Sequence, residues 1–101
     1  MKLKGKVAVV TGGARDIGRA VSIKLAREGA KVVVNYHSSA GQAESTVNEI
    51  RDAGGEAIAV AADVTSQEGV DSLVAETITA FGEKIDILVN VAGGLVARKT
   101  L

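Results

Sequence analysis

Val7-Ala8-Val9-Val10-Thr11-Gly12-Gly13-Ala14-Arg15-Asp16-Ile17-Gly18 opens apolar and β-branched, breaks at a pair of glycines and then changes period. Its first residues are continuously apolar rather than alternating, which fits a strand covered on both faces. Beyond the glycines, Ile17, Val21 and Leu25 recur every four residues with Ala20 beside them, the pattern of one helix face. Gly29 follows Glu28 where a helix stop belongs. A buried strand, a glycine turn and an amphipathic helix thus stand in direct succession.

The same grammar continues along the chain. Lys31 to Tyr36 reads as a second strand, and His37-Ser38-Ser39 as a polar loop. Ala43, Val47 and Ile50 predict a helix over roughly residues 40–53, stopped by Gly54-Gly55. Ala57 to Ala62 is a third strand closed by Asp63. Thr65-Ser66-Gln67-Glu68 has the capping-box form, which places a helix start at Thr65. Val70, Val74, Ile78 and Phe81 form its apolar stripe, with Leu73 and Thr77 adjacent, and Gly82 ends it. Ile85 to Val89 is the fourth strand.

The predicted order is βαβαβαβ with short links, so the fold class is α/β. Strands alternating with helices imply a parallel sheet with right-handed crossovers. A doubly wound, Rossmann-like sheet in the order 3-2-1-4 is the natural solution. Residues 1–101 then form one portion of a dinucleotide-binding domain. The sheet is expected to be incomplete, with the fourth strand a bare edge.

Composition agrees. Apolar residues make up 47% of the 101 residues and aromatics only 2%, so Val, Ile, Leu and Ala must build the core. The formal net charge is zero, and no nucleic-acid or membrane surface is advertised. Residues 1–50 carry eight basic and four acidic side chains, and residues 51–101 the reverse; this would suit an anionic ligand on the first half, and the alternative is a chance distribution of charge. There is no cysteine, hence no disulfide framework or thiolate metal site. The run Val7 to Val10 is too short for a signal-peptide core, and no segment approaches the about 18 apolar residues of a membrane span. A cytoplasmic protein is the expectation.

The loop Thr11 to Gly18 joins a strand to a helix, the context a dinucleotide fingerprint requires. Glycine lets the backbone turn sharply and pass close to a pyrophosphate, while a helix N-terminus offers unpaired N–H groups and a positive dipole end. The alternative is a tight strand–helix turn with no ligand. Asp16 stands where the usual pattern has a further glycine, and a carboxylate beside a pyrophosphate is electrostatically unfavourable. Either its side chain points to solvent, or Arg15 or Arg19 neutralises it.

With these residues in view, the sequence resembles the short-chain dehydrogenase/reductase family. The family's T-G-x-x-x-G-x-G motif appears as Thr11, Gly12 and Gly18, with Asp16 in place of its middle glycine. Its Asp after the third strand matches Asp63, followed by Val64, and its N-N-A-G motif matches Asn90-Val91-Ala92-Gly93. The chain looks most like the 3-oxoacyl-carrier-protein-reductase-like and sugar- or polyol-dehydrogenase-like branches. The resemblance implies that Gly12 and Ile17 approach the phosphates, with Gly18 allowing close helix packing. It implies that Asp63 accepts from the adenine amino group beside Val64. Asn90, Ala92 and Gly93 would line the adenosine ribose. Asp63 also reads as a strand-end turn residue, and Asn90 as a tie between strands.

An acidic residue at the end of the second strand favours NAD through the ribose hydroxyls. Here that region is Asn35-Tyr36-His37-Ser38-Ser39, with no carboxylate. Tyr36, His37 and Ser38 are therefore assigned to the adenosine end, where serine could donate to a 2′-phosphate. His37 also reads as an ordinary exposed loop residue. Arg15 lies where related NADP-dependent members carry a basic residue, and guanidinium meets phosphate in a fork. NADP(H) is expected over NAD(H).

The family's Tyr-x-x-x-Lys pair is absent: the only tyrosine, Tyr36, is followed four residues on by Ala40. No catalytic residue is therefore assigned. The expectation is a fragment of an oxidoreductase that interconverts carbonyl compounds and secondary alcohols, homo-oligomeric by analogy. The alternative is a non-catalytic nucleotide-binding or self-associating module. No G-x-x-x-x-G-K-[ST] phosphate loop and no metal-ligand cluster occurs.

Overall fold

The computed structural model describes residues 2–12, 14–82 and 84–91. Its elements are β1 (Val7–Thr11), α1 (Asp16–Arg27), β2 (Lys31–Tyr36), α2 (Ala40–Asp52), β3 (Glu56–Ala61), α3 (Gln67–Phe81) and β4 (Ile87–Asn90). The strands form one sheet in the order β3-β2-β1-β4, and every pairing is parallel. This is the predicted doubly wound, Rossmann-like arrangement. The chain winds outward through β1, β2 and β3, then crosses back to lay β4 on the free side of β1.

The continuous apolar run of β1 is explained by its central place: all five of its residues are buried. Ala8, Val10, Val32 and Val34 point to one face, where they meet Ala43, Val47 and Ile50 of α2. Val9, Val33 and Val60 point to the other, where they meet Leu73 of α3. Alternation across a strand puts neighbouring valines on opposite faces, and each face has its own helix cover.

Several local expectations shift. The α1 stripe does not reach Ile17, which is 70% exposed, and the deeply buried face runs through Gly18 and Ser22 instead. Small residues let that helix lie close to the sheet, and the Ser22 hydroxyl donates to the Gly18 carbonyl at 2.8 Å. On α3 the buried residues are Leu73 and Thr77, with Val70, Val74 and Ile78 only half covered. The α3 start is capped by Ser66, whose Oγ accepts from the Gly69 N–H at 3.0 Å, and not by Thr65. The Thr65 hydroxyl is committed to Asp63.

The fourth strand begins two residues later than predicted and extends to Asn90, because β1 pairs it in the register Val10↔Val89 and Thr11↔Asn90. Asp86 occupies the position before it. Its Oδ2 accepts from the Val7 N–H at 2.9 Å, and its own N–H donates to the Val7 carbonyl. The carboxylate thereby takes the place of a strand partner at the start of β1, and that bond holds its pKa below the ordinary 3.8.

Candidate functional site: the C-terminal edge of the sheet

β1 and β4 adjoin at the point where the winding reverses, and in open α/β sheets the crevice outside the strand ends at such a switch point receives ligands. The residues singled out from the sequence gather along this edge. Gly12 follows β1, His37 and Ser38 follow β2, Asp63 and Val64 follow β3, and Asn90 ends β4. Ala92 and Gly93 lie outside the described residues.

Gly12 has φ +70°, a backbone angle that glycine adopts without steric cost. Arg15 is extended at φ −133° and ψ 152° and forms the N-cap of α1 without a side-chain cap. Among the described residues no side chain caps the amide groups of this first turn. Asp16 follows with φ +48°, the left-handed region. The backbone at this position has the shape a glycine would take, and aspartate is among the side chains that tolerate it. The Asp16 side chain is exposed, which answers the electrostatic objection in part.

Arg19 does not neutralise Asp16. Its guanidinium reaches across to α2, pairing with Glu49 and donating to Thr46 Oγ1 at 2.9 Å and Ser45 Oγ at 3.4 Å. Thr46 is fully buried, and its hydroxyl lies 2.9 Å from the Gln42 carbonyl and 3.3 Å from the Ala14 carbonyl. The single hydroxyl proton is shared between two acceptors, one on its own helix and one on the glycine loop. Through it α2 braces the loop from behind, a connection that no local sequence signal announces.

The ends of β2 and β3 are tied by Asn35. Its buried Nδ2 donates to the Val60 and Ala62 carbonyls, each at 3.2 Å. Asn35 therefore serves the sheet, while His37 and Ser38 beyond it are exposed. Tyr36 is half-buried and packs against the core shared with α2. At the adjoining loop, Asp63 Oδ1 accepts from the Thr65 hydroxyl at 2.6 Å and the Thr65 N–H at 2.9 Å. These bonds, the hydroxyl's first, hold the carboxyl below its ordinary 3.8, with the charge of nearby His37 adding a little. Thr11 Oγ1 donates to Asn90 Oδ1 at 2.8 Å, fixing that amide at the β1–β4 junction. Asn90 thus performs the strand-tying role, with its side chain still exposed at the crevice.

Such an edge can present backbone amides and a helix N-terminus to an anion, and a carboxylate to a donor on a base. The backbone at Gly12 and Asp16 fits a phosphate approaching closely. Among the described residues no group of three or more His, Cys, Asp or Glu is placed to hold a metal. No helix among them is long and apolar enough to cross a membrane.

Residues 6–101 match the short chain dehydrogenase family. An uncharacterized oxidoreductase of Methylorubrum extorquens is 50% identical over 92 residues, covering 91% of this chain and 37% of the relative. A 3-oxoacyl-[acyl-carrier-protein] reductase of Synechocystis is 48% identical over 99 residues, covering 98% of this chain and 39% of the relative. Among solved structures, a short-chain dehydrogenase/reductase from Serratia marcescens superposes with a TM-score of 0.87 at 42% identity, over 92% of this chain and 38% of its own. The chain thus spans well under half the length of these relatives.

Proposed function

The chain belongs to the short-chain dehydrogenase/reductase family, and on that premise we propose that it is the nucleotide-binding portion of an NADP(H)-dependent oxidoreductase. The reaction proposed is reduction of a carbonyl or oxidation of a secondary alcohol on a small-molecule substrate. The observation that supports the reading most is the make-up of the C-terminal sheet edge. A glycine-shaped turn at Gly12 and Asp16 opens onto α1, Asp63 follows β3 on the same sheet edge, and the end of β2 between them carries no carboxylate.

Each residue has a defined task in this reading. The backbone around Gly12 and the first turn of α1, including Ile17 and Gly18, receives the pyrophosphate. Val64 flanks the adenine, and Asp63 accepts from its amino group. Asn90 borders the ribose. Arg15, His37 and Ser38 surround the 2′-position, with Tyr36 packed behind them. A guanidinium and a hydroxyl welcome a 2′-phosphate there, and nothing at the end of β2 repels it. The bound nicotinamide supplies hydride transfer. The residues of this chain bind and orient the adenosine half. The 48% identity to a 3-oxoacyl-[acyl-carrier-protein] reductase supports this assignment. A cytoplasmic, homo-oligomeric protein is proposed along with it.

Titration with NADPH and NADH tests the cofactor choice. Arg15→Ala is expected to weaken NADPH about tenfold, a phosphate–guanidinium contact's worth, and to leave NADH nearly unchanged. Equal losses would refute it. A second reading, a non-catalytic module that self-associates, is favoured by the half-exposed row Val70, Val74 and Ile78 beside exposed Ile85 and Leu88. Carbonyl-dependent oxidation of NADPH by the purified protein would exclude that alternative.

A further inference from the structure

We infer that Thr65 and Gly69 are positioning residues for Asp63, holding its carboxylate so that it distinguishes an adenine from a base with oxygen in place of the 6-amino group. The inference rests on the proposed contact between Asp63 and the adenine and deepens it.

Asp63 is exposed in the loop between β3 and α3, where a free aspartate side chain would rotate. It is held at three places. Both Thr65 bonds, from the N–H at 2.9 Å and the hydroxyl at 2.6 Å, fall on Oδ1. Neither uses Oδ2, so a carboxylate anchored through one oxygen turns the other in a set direction. The main-chain carbonyl of Asp63 accepts from the Ser66 N–H at 3.3 Å and the Ser66 hydroxyl at 3.2 Å, which binds the loop to the first turn of α3.

Gly69 completes the hold. A Cβ at this position would lie 1.8 Å from the Asp63 carbonyl oxygen and 2.6 Å from its carbon. No side chain fits while the Asp63 backbone stays where it is. Glycine is disfavoured within helices, so its presence in the first turn of α3 asks for a packing reason. Close contact of helix and loop backbones supplies one. The opening of α3 is thereby a seat for Asp63: Gly69 sets where its backbone lies, and Thr65 sets how its carboxylate turns.

A seated carboxylate has a readable chemical consequence. Adenine offers an N–H donor at its 6-position, whereas hypoxanthine offers an oxygen that meets the carboxylate as a second acceptor. The test is calorimetric titration of the purified protein with adenosine diphosphoribose and with inosine diphosphoribose. The wild-type protein is expected to prefer the adenine ligand at least about tenfold, as for a hydrogen bond to a charged group. Gly69→Ala is expected to remove most of that preference. Thr65→Val should cut it about fivefold, as for one lost hydrogen bond, and Thr65→Ser should retain it.

A merely structural role would weaken both ligands together and keep their ratio, and that result overturns the inference. Asp63→Ala separates the two levels of the argument. An unchanged ratio in that variant means Asp63 does not read the base, and the proposed adenine contact falls. A ratio lost in Asp63→Ala but kept in Gly69→Ala and Thr65→Val leaves that contact standing and removes only the positioning role. Should Gly69→Ala not fold, Thr65→Val, at an exposed position, decides the question with Thr65→Ser as its control.

Discussion

On the face of the sheet that carries α1 and α2, Ala43, Val47 and Ile50 are each no more than 4% exposed, whereas Val70, Val74 and Ile78 on α3 are each 37–38% exposed. Both helices are amphipathic and both pack on β2 and β3, from opposite faces of the sheet. They differ in company. α2 packs beside α1 over β1, β2 and β3, so its apolar stripe is enclosed between a neighbouring helix and the sheet. Among the described residues α3 has no such neighbour, and only Leu73 and Thr77 reach full burial. An apolar stripe records what a helix is able to bury; how much is buried depends on what lies beside it.

The largest expected effect lies on the enclosed face. Ile50→Ala should destabilise the fold by about 3 kcal/mol, the usual result of a large-to-small change in a packed core, as measured by urea denaturation. Val74→Ala should fall below about 1 kcal/mol. Comparable losses at the two positions would break the contrast and show that α3 is as well enclosed as α2.

Thr46→Val keeps the volume but removes the hydroxyl between the Ala14 and Gln42 carbonyls. It should cost about 1–2 kcal/mol and speed hydrogen exchange in the glycine loop. A stability loss without faster exchange at residues 14–18 would show that α2 does not brace the loop.

Asp16→Gly is expected to tighten adenosine diphosphoribose binding by about 1 kcal/mol, the worth of removing one exposed like charge about 4 Å away. The φ of +48° suits the replacement. Weaker binding would mean that Asp16 serves the ligand.

The smallest effect concerns acid. The pKa of Asp86 is lowered in the folded state by the Val7 N–H, so its stabilising contribution is present above the ordinary 3.8 and is lost as pH falls through the folded value. Melting curves of the wild type and Asp86→Asn should therefore differ at pH values well above 3.8 and converge below it. A constant difference across the range would place the effect elsewhere.

Much of this was legible beforehand. Every strand and helix was readable from apolar runs, periodicity and glycine stops, and the order β3-β2-β1-β4 followed from parallel connectivity. The errors are local and physical. Thr65 and Ser66 are adjacent hydroxyls, either able to cap a helix, and Asp63 decided between them by binding Thr65. Ile17 matched the α1 stripe by spacing, yet it sits at the helix opening, beyond the reach of the sheet. Asn35 and Asp86 carry no local signal beyond their places in the predicted second and fourth strands. Their partners, Val60, Ala62 and Val7, are far away along the chain.

What the amino-acid order determined alone is the succession of elements and the glycine turn, because periodicity and backbone freedom are properties of neighbouring residues. Only the tertiary structure decided that Arg19 serves α2 rather than Asp16, that Thr46 braces the glycine loop, and that Gly69 seats Asp63. Each of these joins residues brought together by the crossovers and by helix packing. Hydrogen bonds and steric exclusion act over a few ångströms of space, and distance along the chain carries no record of that separation.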